Sequence, residues 1–345
     1  MTQIPPISRR QFLHLSSFGL GGGLLSVNSP RTQKINSLDS IKFALSWKAE
    51  AEYGGFYQAL ATGIYQKHGL DVTIRPVNPQ TNSTQLLLGG ALEFNMGSSL
   101  NIFKAIEQNI PLVTVASMFQ KNIQVLLTHP GVGNESLADL KGKPIFISSG
   151  ARFTYWPVLK QNYEFRDNQI RPYNSNVTPF LVDEQSAQQG VLTSEPYTIE
   201  QKGGFKPIVH LLADAGYNPY SFTITTTRNL VNDNPDLVHR FVDASIRGWY
   251  SYLDNPKPGN RLIKRDNPEM TDDLLDYSFR KLKEYDILIS GEAKMLGVGA
   301  MTDERWKAFF QSTVDLDMVD SGVDYHQAYT LKFVNKGVDY YLKLL

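Results

Sequence analysis

The chain has no cysteine. That excludes disulfide staples, a thiolate nucleophile, Cys-ligated metal and a lipid-modified N-terminal cysteine. An excess of either charge is missing too, since 34 Lys and Arg balance 34 Asp and Glu. No basic face is implied that would draw nucleic acid or an anionic membrane, so polyanionic partners are not expected. The six histidines, His14, His68, His129, His210, His239 and His326, are scattered without the spacing of a metal site. There is no Gly-x-Ser-x-Gly elbow and no internal repeat. Neither a metal, a cofactor nor a catalytic set is expected from these residues.

Long hydrophobic runs are absent as well. Residues 15–27 are apolar but too few and too glycine-rich to span a bilayer, which takes about 20 apolar residues. They follow Ser8-Arg9-Arg10-Gln11-Phe12-Leu13. Paired arginines before a weakly apolar stretch match the twin-arginine address, which exports proteins already folded in the cytoplasm. Residues 1–37 therefore read as signal peptide and linker, with no tidy cleavage site. The mature protein is expected free in the periplasm.

What is present is an α/β pattern. At 345 residues two domains of about 100 to 200 residues are the expectation, and 41% hydrophobic content suffices for their cores. Ile41, Phe43, Leu45 and Trp47 alternate with Lys42, Ala44 and Ser46, as in a strand, before a loop holding Glu50 and Glu52. Helical spacing runs over 55–68 and stops at Gly69, followed by a strand through Leu70, Val72 and Ile74. The alternation continues: helix 84–88, strand 92–96, helix 100–108 and strand 112–118. Such a pace predicts a mainly parallel sheet covered on both faces. A first crossing between domains is placed after 123–128, in the turn-rich stretch 129–134, and a second near Ser221. This divides the chain into lobe 1, residues 38–127 plus 222–345, and lobe 2, residues 128–221.

Four strand ends carry candidate chemistry. In Ile145-Phe146-Ile147-Ser148-Ser149-Gly150-Ala151-Arg152, a buried strand enters a small hydroxyl-bearing turn that opens a helix through Trp156. Free N–H groups there favour an anionic or strongly polar group, Ser149 and Gly150 permit close approach, and Arg152 adds charge. A capped helix start with a surface Arg gives the same pattern. In the loop after the first strand, Trp47 and Tyr53-Gly54-Gly55 offer a stacking surface beside exposed N–H groups, or simply pack the core. Phe94-Asn95-Met96-Gly97-Ser98-Ser99 ends small and polar. Glu195, before Pro196, is a carboxylate able to accept from an amine or amidine.

These segments together resemble the substrate-binding proteins of bacterial ABC importers, in the subgroup of pyrimidine-precursor, sulfonate, taurine and nitrate binders related to thiamine-pyrimidine synthase. The matching residues are Leu45-Ser46-Trp47 with Gly55-Phe56-Tyr57-Gln58-Ala59, Gly69-Leu70-Asp71-Val72, Phe94 to Ser99, and Leu137-Ala138-Asp139-Leu140-Lys141-Gly142-Lys143 leading to Ser148-Ser149-Gly150. The resemblance implies a type II periplasmic-binding fold: two α/β lobes joined by two crossing strands, with the ligand cleft between them.

It further implies Trp47 as a stacking aromatic, Ser98 and Ser99 as first-lobe contacts, Ser149, Gly150 and Arg152 as the second-lobe anchor, and Glu195 as the acidic contact. Tyr53 and Trp156 are added as further ring contacts. The implied function is capture of a small polar, nitrogen-bearing heteroaromatic solute by a monomeric receptor that docks on an inner-membrane ABC permease. A sulfonate, taurine or nitrate receptor is the alternative within the fold. The synthase branch of the resemblance uses a Cys-rich motif and a reactive His; a chain without Cys, carrying Glu50-Ala51-Glu52 in the corresponding loop, departs from it.

Overall fold

The computed structural model describes residues 38–78 and 81–343. The signal and linker reading falls on 1–37, outside the described residues. Ten strands form two five-stranded sheets. The strands are β1 (Asp39–Ala44), β2 (Leu70–Arg75), β3 (Phe94–Ser98), β4 (Leu112–Phe119), β5 (Gln124–Thr128), β6 (Ile145–Ile147), β7 (Ile170–Pro172), β8 (Ala187–Val191), β9 (Ile208–Leu211) and β10 (Ser221–Thr227). Their orders are β2-β1-β3-β10-β4 and β7-β6-β8-β5-β9. Strand β1 is parallel to β2 and β3, and β6 to β7 and β8. Strand β10 runs antiparallel between β3 and β4, as β5 does between β8 and β9.

The sheets are thus mixed, not mainly parallel. The reason lies in the two crossings: β5 and β10 each enter a sheet from the other lobe by a short connection, and so run against their neighbours. The chain leaves the first sheet at Phe119 and enters the second at Gln124; it leaves again after Leu211 and re-enters at Ser221. Residues 123–128, read above as the last strand before the crossing, are paired in the second sheet. The first crossing therefore precedes them.

Local sequence accounts for most elements. In β2 the even-spaced Leu70, Val72 and Ile74 are buried while Asp71, Thr73 and Arg75 face solvent, as on an edge strand with one wet face. Strand β4 is buried along its whole length although it ends the sheet, because Thr330 N donates to Thr114 O and Ser117 N to Gly299 O along its free edge. The helix predicted over 55–68 is two pieces, Gly54–Ala61 and Ile64–Lys67, since Gly63 adopts a left-handed φ of 71° between them. The helix Pro235–Asp254 is capped by the Asn234 side chain accepting from Leu237 N, and buries Trp249 and Phe241 against the first sheet's side. It lies so close to Gly54–Ala61 that a Cβ on Gly248 would sit 2.2 Å from the Gly55 carbonyl oxygen.

One hydrophobic cluster fills lobe 1 and continues onto a face of the second sheet through Val125, Leu127, Leu192, Ile199 and Leu211. The other face forms its own core around Leu126, Ile145, Ile147 and Leu159. Strand β5 thus divides its alternating side chains between two cores. No helix among the described residues is long and apolar enough to cross a membrane.

Candidate functional site

A cleft of ≈ 490 Å³ opens where the two sheets meet at the crossings. Lobe 1 contributes Ser46, Trp47, Glu50, Glu52 and Tyr53 from the loop after β1, and Phe222 from β10. Lobe 2 contributes Ser148, Tyr173 and Ser175 beyond β6 and β7, Gln189 and Val191 on β8, and Ser194 and Glu195 after it. The first crossing adds Asn122 and Ile123, with Gln124 at the start of β5. These are mostly the carboxyl ends of parallel strands, where open α/β sheets place their ligands. A larger hollow of ≈ 570 Å³ around Glu107, Arg228 and Asp324 lies where β4 begins and β10 ends, and is lined by lobe 1 alone.

Aromatic walls flank the acidic floor. Phe222 has a left-handed φ of 50° at a register shift between Ser221 and Thr223, a bulge that redirects one side chain. Its ring stacks on Phe119 at 4.3 Å and meets Tyr53 at 5.5 Å. Tyr53 is itself anchored by a 2.9 Å hydrogen bond to Ser46. Trp47 is 38% exposed, so part of its indole is available to a ring in the cleft.

The floor carries three carboxylates. Glu195 opens the helix Glu195–Gly203 and accepts from Val191 N at 2.7 Å, Ser194 Oγ at 2.7 Å and Tyr173 Oη at 3.2 Å. Only glycine at 190 allows this, because a Cβ there would lie 2.8 Å from Glu195 Cβ. Glu52 is buried and accepts from Thr193 Oγ1 across the lobes, while its other oxygen, Oε2, has no partner. Burial, then the charges of Glu52 and Glu195, push the Glu50 carboxyl up to about 9. Burial raises Glu52 as well. No Lys or Arg lines this cleft among the described residues; Lys48 lies beside it, in an exposed ion pair of 2.7 Å with Glu269.

Trp47, Tyr53 and Glu195 are thus brought together on the cleft, and six other candidates are not. Ser98 caps the helix Ser99–Glu107 by accepting from Asn101 N, and faces a separate small hollow with Asn95 and Thr225. Ser99 is fully buried, its hydroxyl donating to Tyr220 O at 3.2 Å. Ser149, Gly150 and Arg152 form an exposed 3₁₀ turn that stays off the cleft wall. Trp156 belongs to the lobe 2 core, where Nε1 donates to Asp167 Oδ1 at 2.8 Å and the indole packs on Phe165. Its place at the start of a helix on the core face removes it as a stacking partner.

Glu50, Glu52, Tyr173, Gln189 and Phe222 are cleft residues that sequence reasoning does not single out. The one available signal was two acids flanking Ala51 in an otherwise apolar and aromatic loop. None of the five described histidines lines the cleft.

Two α/β lobes, two crossings and a polar cleft between them define the type II periplasmic-binding fold. The model of the family described as NMT1/THI5 like matches residues 50–258, and the chain belongs to that family. Over 310 residues it is 23% identical to the riboflavin-binding protein RibY of Chloroflexus aurantiacus, covering 87% of this chain and 88% of that one. It is 29% identical over 228 residues to the formylaminopyrimidine-binding protein of Halalkalibacterium halodurans, covering 64% and 68% of the two chains. Among solved structures, the periplasmic aliphatic sulphonate binding protein SsuA of Escherichia coli superimposes with a TM-score of 0.64 at 11% identity, over 84% of this chain and 92% of that one.

Proposed function

We propose that the chain is the solute-capturing component of an ABC import system and that its solute is a flat, nitrogen-bearing heteroaromatic presenting N–H donors. The observation that carries this is the cleft floor: Glu50, Glu52 and Glu195 stand beside the partly open Trp47 face with no lining cation. Carboxyl oxygens accept, and the raised Glu50 carboxyl can also donate, so the floor suits a ring edge that combines amine N–H donors with ring-nitrogen acceptors. Relatives named for binding riboflavin and formylaminopyrimidine, both nitrogen heterocycles, support the same reading. A sulfonate or nitrate would find no Lys or Arg lining this cleft among the described residues, which gives the anion alternative no charged partner despite the shared fold with SsuA.

Capture works by differential binding. Trp47 and the Glu50–Tyr53 loop belong to one lobe and Gln189, Tyr173 and Glu195 to the other, so a solute touching both favours closure by what it gains there. The loaded receptor then docks as a monomer on an inner-membrane permease. The twin-arginine motif at Arg9-Arg10 supports export to the periplasm; replacing both by Lys should leave the protein in the cytoplasm, read by fractionation. Against a synthase reading stand the absent cysteine and the binding roles in the relatives' names.

The test is a melting screen of ligand-stripped protein against pyrimidines, flavins, sulfonates and nitrate. A native-state ligand at 100 times its Kd adds about 2.7 kcal/mol and raises Tm. Mass analysis of the recovered ligand should return it unchanged. A shift with sulfonate or nitrate alone overturns the proposed solute class, and a chemically altered ligand overturns the receptor.

A further inference from the structure

One side chain holds both crossings at their lobe 1 ends. Arg305, on the helix Asp303–Asp315, donates from Nη1 to Gln120 Oε1 at 3.1 Å and from Nη2 to Gln120 O at 2.7 Å, both on the first crossing. The same Nη2 reaches Asn218 O on the second crossing at 3.5 Å, and the guanidinium lies over the Tyr220 ring, 4.1 Å from its centroid. A planar fork of N–H donors can meet carbonyls of two strands and a ring face at once; an ammonium cannot. Glu292 balances the charge at 3.4 Å and also accepts from Tyr220 Oη and Thr302 Oγ1, so the partly buried cation is paired and fixed in orientation.

Backbone hydrogen bonds place the pivots. On the first crossing, Gln120 N and Lys121 N both donate to Ile287 O in lobe 1, whereas Ile123 O accepts from Leu192 N just beyond β8 in lobe 2. Asn122 alone stands between the two grips. On the second crossing, Tyr217 lies in the lobe 2 core and its N donates to Leu212 O, whereas Tyr220 O accepts from Ser99 N in lobe 1. Asn218 and Pro219 stand between. The two pivots are themselves joined, since Asn122 N donates to Asn218 Oδ1 at 2.9 Å. Asn122 also lines the cleft, so a solute there lies against the hinge.

We propose that Arg305 is a positioning residue for solute capture: by clamping both crossings to lobe 1 it confines bending to Asn122 and to Asn218 with Pro219, and the two crossings turn as one hinge. Its part in capture rests on the receptor reading above. The hydrogen bonds of Arg305 stop at the pivots, so the clamp fixes the axis of closure and favours neither open nor closed lobes. Lobes that meet in one register present both cleft walls to the solute already aligned.

The experiment measures the distance between the lobes in the full, ligand-stripped chain by double electron–electron resonance. Because the sequence has no cysteine, Q66C in lobe 1 and Q161C in lobe 2, both at exposed positions, carry the only two labels. R305M keeps a long side chain without its donors and should broaden the distance distribution about twofold, as the crossings then bend separately. R305K keeps the charge without the fork and should fall between. G248A, destabilised where two lobe 1 helices touch, should keep the parental breadth, which separates a hinge effect from a general loss of stability. N218A removes the tie to Asn122 N and should broaden the distribution as well; it decides the matter should R305M fail to fold. Parental breadth in R305M, or equal broadening in G248A, overturns the proposal. If no solute in the melting screen binds, the receptor reading falls, while the distances still decide whether Arg305 holds the hinge.

Discussion

Strands β1 and β6 hold the same place in sheets of matching order, yet the loops that follow them behave in opposite ways. After β1 the chain folds inward and brings Glu50, Glu52 and Tyr53 to the cleft; after β6 it makes an exposed turn that leaves Ser149, Gly150 and Arg152 outside. Topology equips both strand ends to meet a ligand, but the packing behind a loop decides whether it does. The β1 loop is drawn in because Asn267 Nδ2 donates to Ala49 O and Glu52 is gripped by Thr193, whereas along 149–153 only Ala151 is buried, in the lobe 2 core.

The sharpest way to expose this asymmetry is pH. The native Glu50 carboxyl titrates near 9 against an ordinary 4.5, so between those values the native state holds a proton that the unfolded chain has lost. Stability contributed by that proton should fall as pH rises through this window. Melting curves from pH 5 to 9 should show a declining Tm, and E50Q should flatten the decline. An equally steep slope in E50Q would break the contrast between the loops.

Support of the inward loop comes next. Gly248→Ala should cost about 2 kcal/mol or more in urea unfolding, because its Cβ meets the Gly55 carbonyl oxygen, part of the backbone, at 2.2 Å. Lobe 2 is tested by Glu195→Ala, which strands Val191 N, Ser194 Oγ and Tyr173 Oη and should lose up to about 2 kcal/mol by the same measurement. Trp47→Ala should weaken binding of whichever solute the melting screen identifies by about 1 kcal/mol, read by calorimetry. Arg152→Ala should change stability by less than about 0.5 kcal/mol and leave affinity alone; a marked loss of affinity would return the β6 turn to the site.

Strand and helix succession was legible because periods of 2 and 3.6 are written in the spacing of apolar residues. The strand ends that line the cleft were partly legible too, since Trp47, Tyr53 and Glu195 all stand on its wall. The sheet to which 124–128 belongs was not legible: Val125, Leu126 and Leu127 are buried on both faces, and such a run fits either lobe. Trp156 was misjudged because a helix start says nothing of which way its first side chain turns. Phe222 was hidden for another reason: its left-handed φ and bulge depend on β3 and β4 gripping β10 from both sides. Glu50 and Glu52 read as ordinary loop acids until Thr193 and Glu195, some 140 residues later, closed over them.

The position of β10 also dictates a sequence of events in time. Strands β3 and β4 are not paired with each other; β10 lies between them. A chain growing from its N-terminus cannot finish its first sheet until residue 227 has been made, whereas every strand of the second sheet exists once residue 211 has. The half that begins first is therefore completed last, and a nascent chain halted between these points would hold an intact second sheet beside a first one divided into two parts, with exposed edges open to wrong partners.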